Sequence, residues 1–200
     1  MPQLYLVGTN HSDLKGPERL EKFLEIIRPE HIGVEYTEKD AQTIIRLHQK
    51  NLITKYDTPK ELIEGRKRYT QGYEVWVSDE FRKSNPETNV SYLEDQLLSD
   101  EADNYLGSDV FKIDKSVNAI YDNQSFIRKI KNYPEIFAAL FLNRDEHFEK
   151  EIRKIYPAGE QTMAYICGAL HFFGEYHNLY ERLRDLNPVR IKLRDLDKFQ

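Results

Sequence analysis

The chain of 200 residues has a single cysteine, Cys167, which excludes an internal disulfide framework and a cysteine-rich zinc site. It has no basic excess: 29 Lys+Arg stand against 34 Asp+Glu, for a net charge of -5. That balance argues against nucleic acid as the main partner, because phosphate binding needs a concentrated basic surface. No run approaches the roughly 18 consecutive apolar residues of a membrane span. The first residues, Met1-Pro2-Gln3-Leu4-Tyr5-Leu6-Val7-Gly8, lack the basic segment of a secretory leader, and neither end carries a lipidation signal. The expectation is a soluble cytoplasmic protein that binds neither membrane nor nucleic acid. Internal repeats, low-complexity tracts and linkers are also missing, so one domain over residues 1–200 is expected. What the chain does have is material for a core, with 40% apolar and 12% aromatic residues.

The apolar pattern predicts an α/β fold: a single compact domain with a mixed or parallel central sheet flanked by helices. Leu4 to Val7 reads as a first strand running into the turn Gly8 to Asp13. A helix follows from near Pro17, with Leu20, Phe23, Leu24 and Ile27 on one face, and Pro29 ends it. His31 to Glu35 reads as a second strand, and strand–helix–strand of this length is the size of a parallel βαβ unit. Residues 38–130 form a variable, mostly helical middle insertion. Within it, Ala41–Leu52 and Thr58–Gly72 read as charged helices, Val90–Leu93 as a third strand, and Asp100–Asp114 as a loop or irregular helix. Beyond Pro134, Phe137, Phe141, Phe148 and Ile152 make one helical stripe. Thr162–Cys167 is a buried-strand pattern, followed by a helix with Tyr176, Leu179, Tyr180 and Leu183 on one face. Val189–Leu193 alternates and reads as a last strand at a sheet edge.

Three residues share one address. His11, Glu35 and His171 each lie at or just past the C-terminal end of a predicted strand, where ligands bind in open parallel α/β sheets. Two imidazoles and a carboxylate converging there make a His₂Glu set suited to zinc, manganese, cobalt or iron. A divalent cation so held would acidify water and polarise a carbonyl, which is hydrolytic chemistry. The plainer account is a set of capping and solvated loop residues. Arg144 is an oddity of another kind. On a helical wheel it falls within the phenylalanine stripe, with Asp145 at the edge. A guanidinium there cannot shed its charge and must be paired or reach a wet cavity. A buried structural ion pair competes with a role in gripping a carboxylate or stabilising an oxyanion. Cys167, inside a predicted strand, reads as a small apolar residue. Asp95, at the end of the third strand, is the one candidate in the middle segment.

Gly8-Thr9-Asn10-His11 and Gly168-Ala169-Leu170-His171 are two GxxH motifs near opposite ends of the chain. With Val34-Glu35 and Arg144-Asp145 between them, in the order strand–GxxH, strand–Glu, helix–Arg, strand–GxxHxxG, they resemble the TraB/Tiki superfamily, which takes in erythromycin esterases and the haem-binding ChaN proteins. A third match, Gly174 to His177, falls inside the predicted final helix. The resemblance covers residues 1–40 and 135–200. It implies a metal-dependent hydrolase of an amide, peptide or ester bond, with a peptide or small-molecule substrate. His11 and His171 would be metal ligands, and Glu35 a third ligand or the base. Arg144 would support the transition state, and Asp145 would orient it or complete the metal shell. Manganese, cobalt or zinc would be the cofactor. The ChaN likeness carries the alternative of a non-catalytic module that holds haem, a peptide or a small molecule in the same pocket. The oligomeric state stays open, a homodimer included.

Overall fold

The computed structural model describes residues 2–11, 13, 15–50, 72–106, 124–156 and 161–199. Five strands make one sheet: β1 (Leu4–Thr9), β2 (His31–Val34), β3 (Asn89–Tyr92), β4 (Met163–Gly168) and β5 (Val189–Lys192). Their order is β3-β2-β4-β1-β5, and every pairing is parallel. The strand expected at 90–93 thus forms one edge, and the strand expected at the end of the chain forms the other. Residues 38–130 are mostly helical where described, but through β3 they also complete the sheet.

Side-chain alternation explains the two covered faces. Val7, Ile32, Val34, Ala164 and Ile166 point to one face, under α1 (Gly16–Ile27), α2 (Glu38–Gln49) and α3 (Tyr73–Ser84). Leu4, Leu6, Met163, Tyr165 and Cys167 point to the other, against Phe148, Ile152, Phe172, Leu179 and Leu183. Pro17 stands in the first turn of α1. Arg28, in a left-handed conformation with φ 47°, closes the helix just before Pro29.

A further helical layer comprises α4 (Gln96–Leu106), α5 (Gln124–Ile130), α6 (Pro134–Phe137) and α7 (Asn143–Ile155). The helix expected over Thr58–Gly72 lies outside the described residues except for Gly72, as do residues 107–114 of the segment expected to be loop or irregular helix. Between α6 and α7 the chain makes a π-helical turn, Ala138–Leu142. That turn breaks the 100° spacing assumed for the phenylalanine stripe, because each residue in it advances the helix by less. Phe137 and Phe141 therefore pack in a satellite core with Ala102, Ile127 and Ile130, while Phe148 and Ile152 pack on the sheet. The expected single stripe is two. Arg144 and Asp145 come at the junction.

The final helix also departs from expectation. It is broken into α8 (Leu170–Phe173) and α9 (Leu179–Arg182), with bends between them. Asn178 restarts it: its side chain accepts from Glu181 N–H at 3.1 Å, as an N-cap does. Gly174 to His177 lies in that break, not in a helix, and His177 is exposed.

This topology places the site. The chain leaves β1 through α1 on one face and leaves β4 through α8 and α9 on the other. Because β1 and β4 are neighbours, their exits diverge and open a crevice at their C-terminal ends. His11 follows one strand and His171 the other. No described helix is long and apolar enough to cross a membrane.

Candidate metal and catalytic centre

The chain brings the expected residues to one point. A Cβ placed on Gly168 would lie 3.4 Å from Glu35 Oε2, 3.7 Å from His11 Nε2 and 3.7 Å from His171 Cδ2. Glu35 continues the line of β2, its N–H donating to Ile166 O at 3.0 Å. One carboxylate oxygen, Oε2, accepts from Gly168 N–H at 2.6 Å. The other, Oε1, accepts from Arg144 Nη2 at 2.6 Å and stands 3.4 Å from His171 Nε2.

Each imidazole is held from behind by a buried carboxylate. His171 Nδ1 bonds Asp145 Oδ1 at 2.5 Å, and Asp145 Oδ2 accepts from Tyr176 O–H at 2.9 Å. His11 Nδ1 bonds Glu74 Oε1 at 2.8 Å. In both rings Nε2 is the atom left for the crevice. A carboxylate on Nδ1 fixes the ring and makes the opposite nitrogen a better donor, the arrangement common behind metal-bound histidines. Arg144 is doubly paired, to Glu35 and through Nε at 2.9 Å and Nη2 to Glu94 Oε2. Of its pair, Asp145 is the deeper, fully buried, whereas the Arg144 side chain keeps 15% exposure.

The charges sustain one another. Burial would raise the Glu35 pKa, but Arg144, His171 and His11 outweigh it and hold the carboxyl well below the usual range. Burial would lower His171, yet Asp145 and Glu35 lift it from 6.5 to about 9. For His11, whose side chain is half exposed, desolvation of the covered part pulls the pKa down and Glu74 and Glu35 raise it by more, to about 9. Burial pushes Glu94 upward despite Arg144. It also pushes the Cys167 thiol well up, with Glu35 adding to the shift.

Beside this network lies a cavity of about 390 Å³ whose wall includes His11, Glu35, Glu94 and Arg144, with Tyr36 and Ile44 as apolar lining. Neither the family models nor the curated proteins contain a match to this chain. The reading of the site therefore stands on its geometry and on the motifs themselves.

A metal ion fits the donors present. Among the described residues, Glu35, Cys167 and His171 form a buried group whose ligating atoms all lie within 4.8 Å of one another. The 3.4 Å between His171 Nε2 and Glu35 Oε1 is about the edge expected for N and O ligands roughly 2.1 Å from a tetrahedral ion. Glu94 Oε1 and Tyr165 O–H, both buried, have no hydrogen-bond partner among the described residues. Buried polar atoms without a partner are uncommon in folded chains; Trp76 Nε1 and Arg182 Nε are others here, away from this centre.

From the sequence, neither Glu74 nor Glu94 is singled out, and Cys167 reads only as a small apolar residue. Glu94 had a usable signal: like Glu35 it follows a strand end, but its neighbour Asp95 was the one singled out. Asp95 instead caps α4, its Oδ1 accepting from Leu97 and Leu98 N–H at 2.8 and 3.3 Å. Glu74 is a charge inside the apolar run Tyr73–Val77, the same kind of oddity that marked Arg144. It is 1% exposed.

Proposed function

We propose that the chain is a metal-dependent hydrolase that cleaves an amide or ester bond in a peptide or small molecule. One observation carries the reading: the two GxxH histidines converge on Glu35, each with a buried carboxylate on Nδ1 and Nε2 turned to the crevice. A purely structural pair of histidines has no need of two such carboxylates, since each buried charge costs several kcal/mol unless something offsets it. The order of motifs, which resembles that of the TraB/Tiki superfamily, points the same way.

His171 and Glu35 would hold the ion, with manganese, cobalt and zinc as the candidates. When bound, a divalent cation supplies Lewis acidity to a carbonyl and lowers the pKa of water. The remaining work belongs to the chain. Asp145 fixes the tautomer of His171, and Glu74 does so for His11. His11, at the cavity wall and protonated near neutral pH with its pKa of about 9, can give a proton through Nε2 and take it back. Arg144 presents Nη1, which bonds to nothing among the described residues, beside Glu35, where it can stabilise an oxyanion.

The test is a calorimetric titration of metal-stripped protein with each cation, beside His171→Ala, followed by a panel of chromogenic dipeptide amides and esters. Saturable binding of one ion per chain, lost in His171→Ala, with turnover abolished by Glu35→Gln, is the expected result. No binding at millimolar cation overturns the mechanism. So does full activity in Glu35→Gln on a substrate that the wild type cleaves.

A further inference from the structure

The two GxxH histidines are not placed alike. His171 is 4% exposed and sits within the compact group with Glu35 and Cys167. His11 is outside that group. Its side chain is 48% exposed, and it stands in the cavity wall, which neither His171 nor Cys167 lines.

We propose that the ion at this centre is held by Cys167 Sγ, Glu35 and His171 Nε2, and that His11, braced by Glu74, is the acid–base residue that faces it rather than a ligand. The proposal rests on the hydrolase reading and sharpens it. Strand alternation puts Cys167 on the same face as Tyr165 and Met163, toward Asp145 and His171 and away from α1. Its sulfur lies within 4.8 Å of a Glu35 carboxylate oxygen and of a His171 ring nitrogen. Both oxygens of Glu35 are already anchored, by Gly168 N–H and Arg144, so that carboxylate stays in place whether or not an ion is present.

A buried thiol in apolar surroundings is inert by itself. A coordinated ion would change that: the thiol proton and the Nε2 proton of the His171 imidazolium would both leave to solvent, and the lone pairs freed on sulfur and nitrogen would bind the ion. Among the described residues, two buried polar atoms near this point have no hydrogen-bond partner: the hydroxyl of Tyr165, two residues before Cys167 on the same face, and Oε1 of Glu94 beside Arg144. Water or a ligand at the centre would satisfy them.

One consequence separates this assignment from a His₂Glu set: a thiolate donor favours zinc or cobalt over manganese, which prefers oxygen ligands. Like that set, three protein ligands leave one position for water, as in catalytic zinc sites. His11 Nε2 is near enough to serve that position, since it and Glu35 Oε2 both approach the same point above Gly168.

The experiment adds cobalt(II) to metal-stripped full-length protein and records the near-ultraviolet and visible spectrum of wild type, Cys167→Ser, Cys167→Ala and His11→Ala. Far-ultraviolet circular dichroism checks each fold. The wild type should take up one cobalt with an intense sulfur-to-cobalt charge-transfer band. Both cysteine variants should lose the band, and the preference for zinc over manganese should fall at least about 100-fold. His11→Ala should keep ion and band while losing hydrolysis. Cobalt bound without the band overturns this assignment and leaves the hydrolase reading intact, as does loss of binding in His11→Ala with binding kept in the cysteine variants. No cobalt uptake by the wild type overturns both.

Discussion

Asp145 holds Nδ1 of His171 at 2.5 Å, and this one contact decides which nitrogen of that ring can reach Glu35. Asp145 is fully buried and its second oxygen is taken by Tyr176, so the contact is fixed on both sides. Asp145→Asn keeps the shape but removes the charge, and ion affinity should fall about 10-fold to 100-fold, the usual effect of losing such a partner. Asp145→Ala should also cost roughly 3–5 kcal/mol in urea unfolding, because a buried imidazolium is left without its counter-charge. Unchanged affinity in Asp145→Asn would mean that the contact serves packing alone.

The same partners set a pH dependence in the metal-free protein. His171 and His11 have folded pKa values of about 9 against 6.5, so their contribution to stability is fully present below pH 6.5. It is lost as pH rises through 9. Glu35 runs the other way, held low in the fold, and its contribution is lost only on acidification below the usual carboxylate range. Thermal melts with a chelator present should therefore decline between pH 6.5 and 9. His171→Ala, which removes the better-buried of the two rings, should flatten that decline. A melting temperature that climbs over this interval would contradict the assigned partners.

How much of this was legible beforehand follows from what periodicity can register. The sheet strands, their shared end and the residues on it could be read, since period-two alternation and strand-end addresses are local features of the sequence. Strand order was not legible, because the insertion of β4 between β1 and β2 is a long-range event. The wheel placed Arg144 on the apolar stripe and Asp145 at its edge, but the π turn shifts the phase, and Asp145 is the deeper of the two. The partners of the histidines escaped for a similar reason. Glu74 is 63 residues from His11, and nothing local links them.

Two glycines predict opposite outcomes for one substitution. A Cβ on Gly33 would lie 2.9 Å from Tyr165 Cδ2 and 3.0 Å from Leu93 Cδ1, inside a packed layer. Gly33→Ala should cost about 1–3 kcal/mol by overpacking. A Cβ on Gly168 meets only ordinary contacts, the nearest being Glu35 Oε2 at 3.4 Å. Gly168→Ala should stay within about 1 kcal/mol of wild type in urea unfolding, yet its methyl would stand among the three residues on which the chemistry depends. Ion affinity or turnover should fall at least tenfold. Equal stability loss at both positions, with function kept at 168, would place the centre elsewhere.

Arg144 separates a scaffold from a working centre. It is bonded to Glu35 and Glu94, both buried, and the cationic side chain stacks 5.6 Å from the Phe148 ring. If the trio were only structural, Arg144→Met paired with Glu35→Gln and Glu94→Gln should match or exceed wild-type stability, since apolar or neutral replacement of buried ion networks is often neutral or stabilising. Arg144→Met alone should lose about 3–5 kcal/mol, because it leaves two buried carboxylates without their counter-charge. The triple variant should recover most of that in urea unfolding while binding no ion and turning over no substrate. Stability restored and function lost would mean that these charges are kept for chemistry. A triple variant that still bound the ion with wild-type affinity would remove Glu35 from the site.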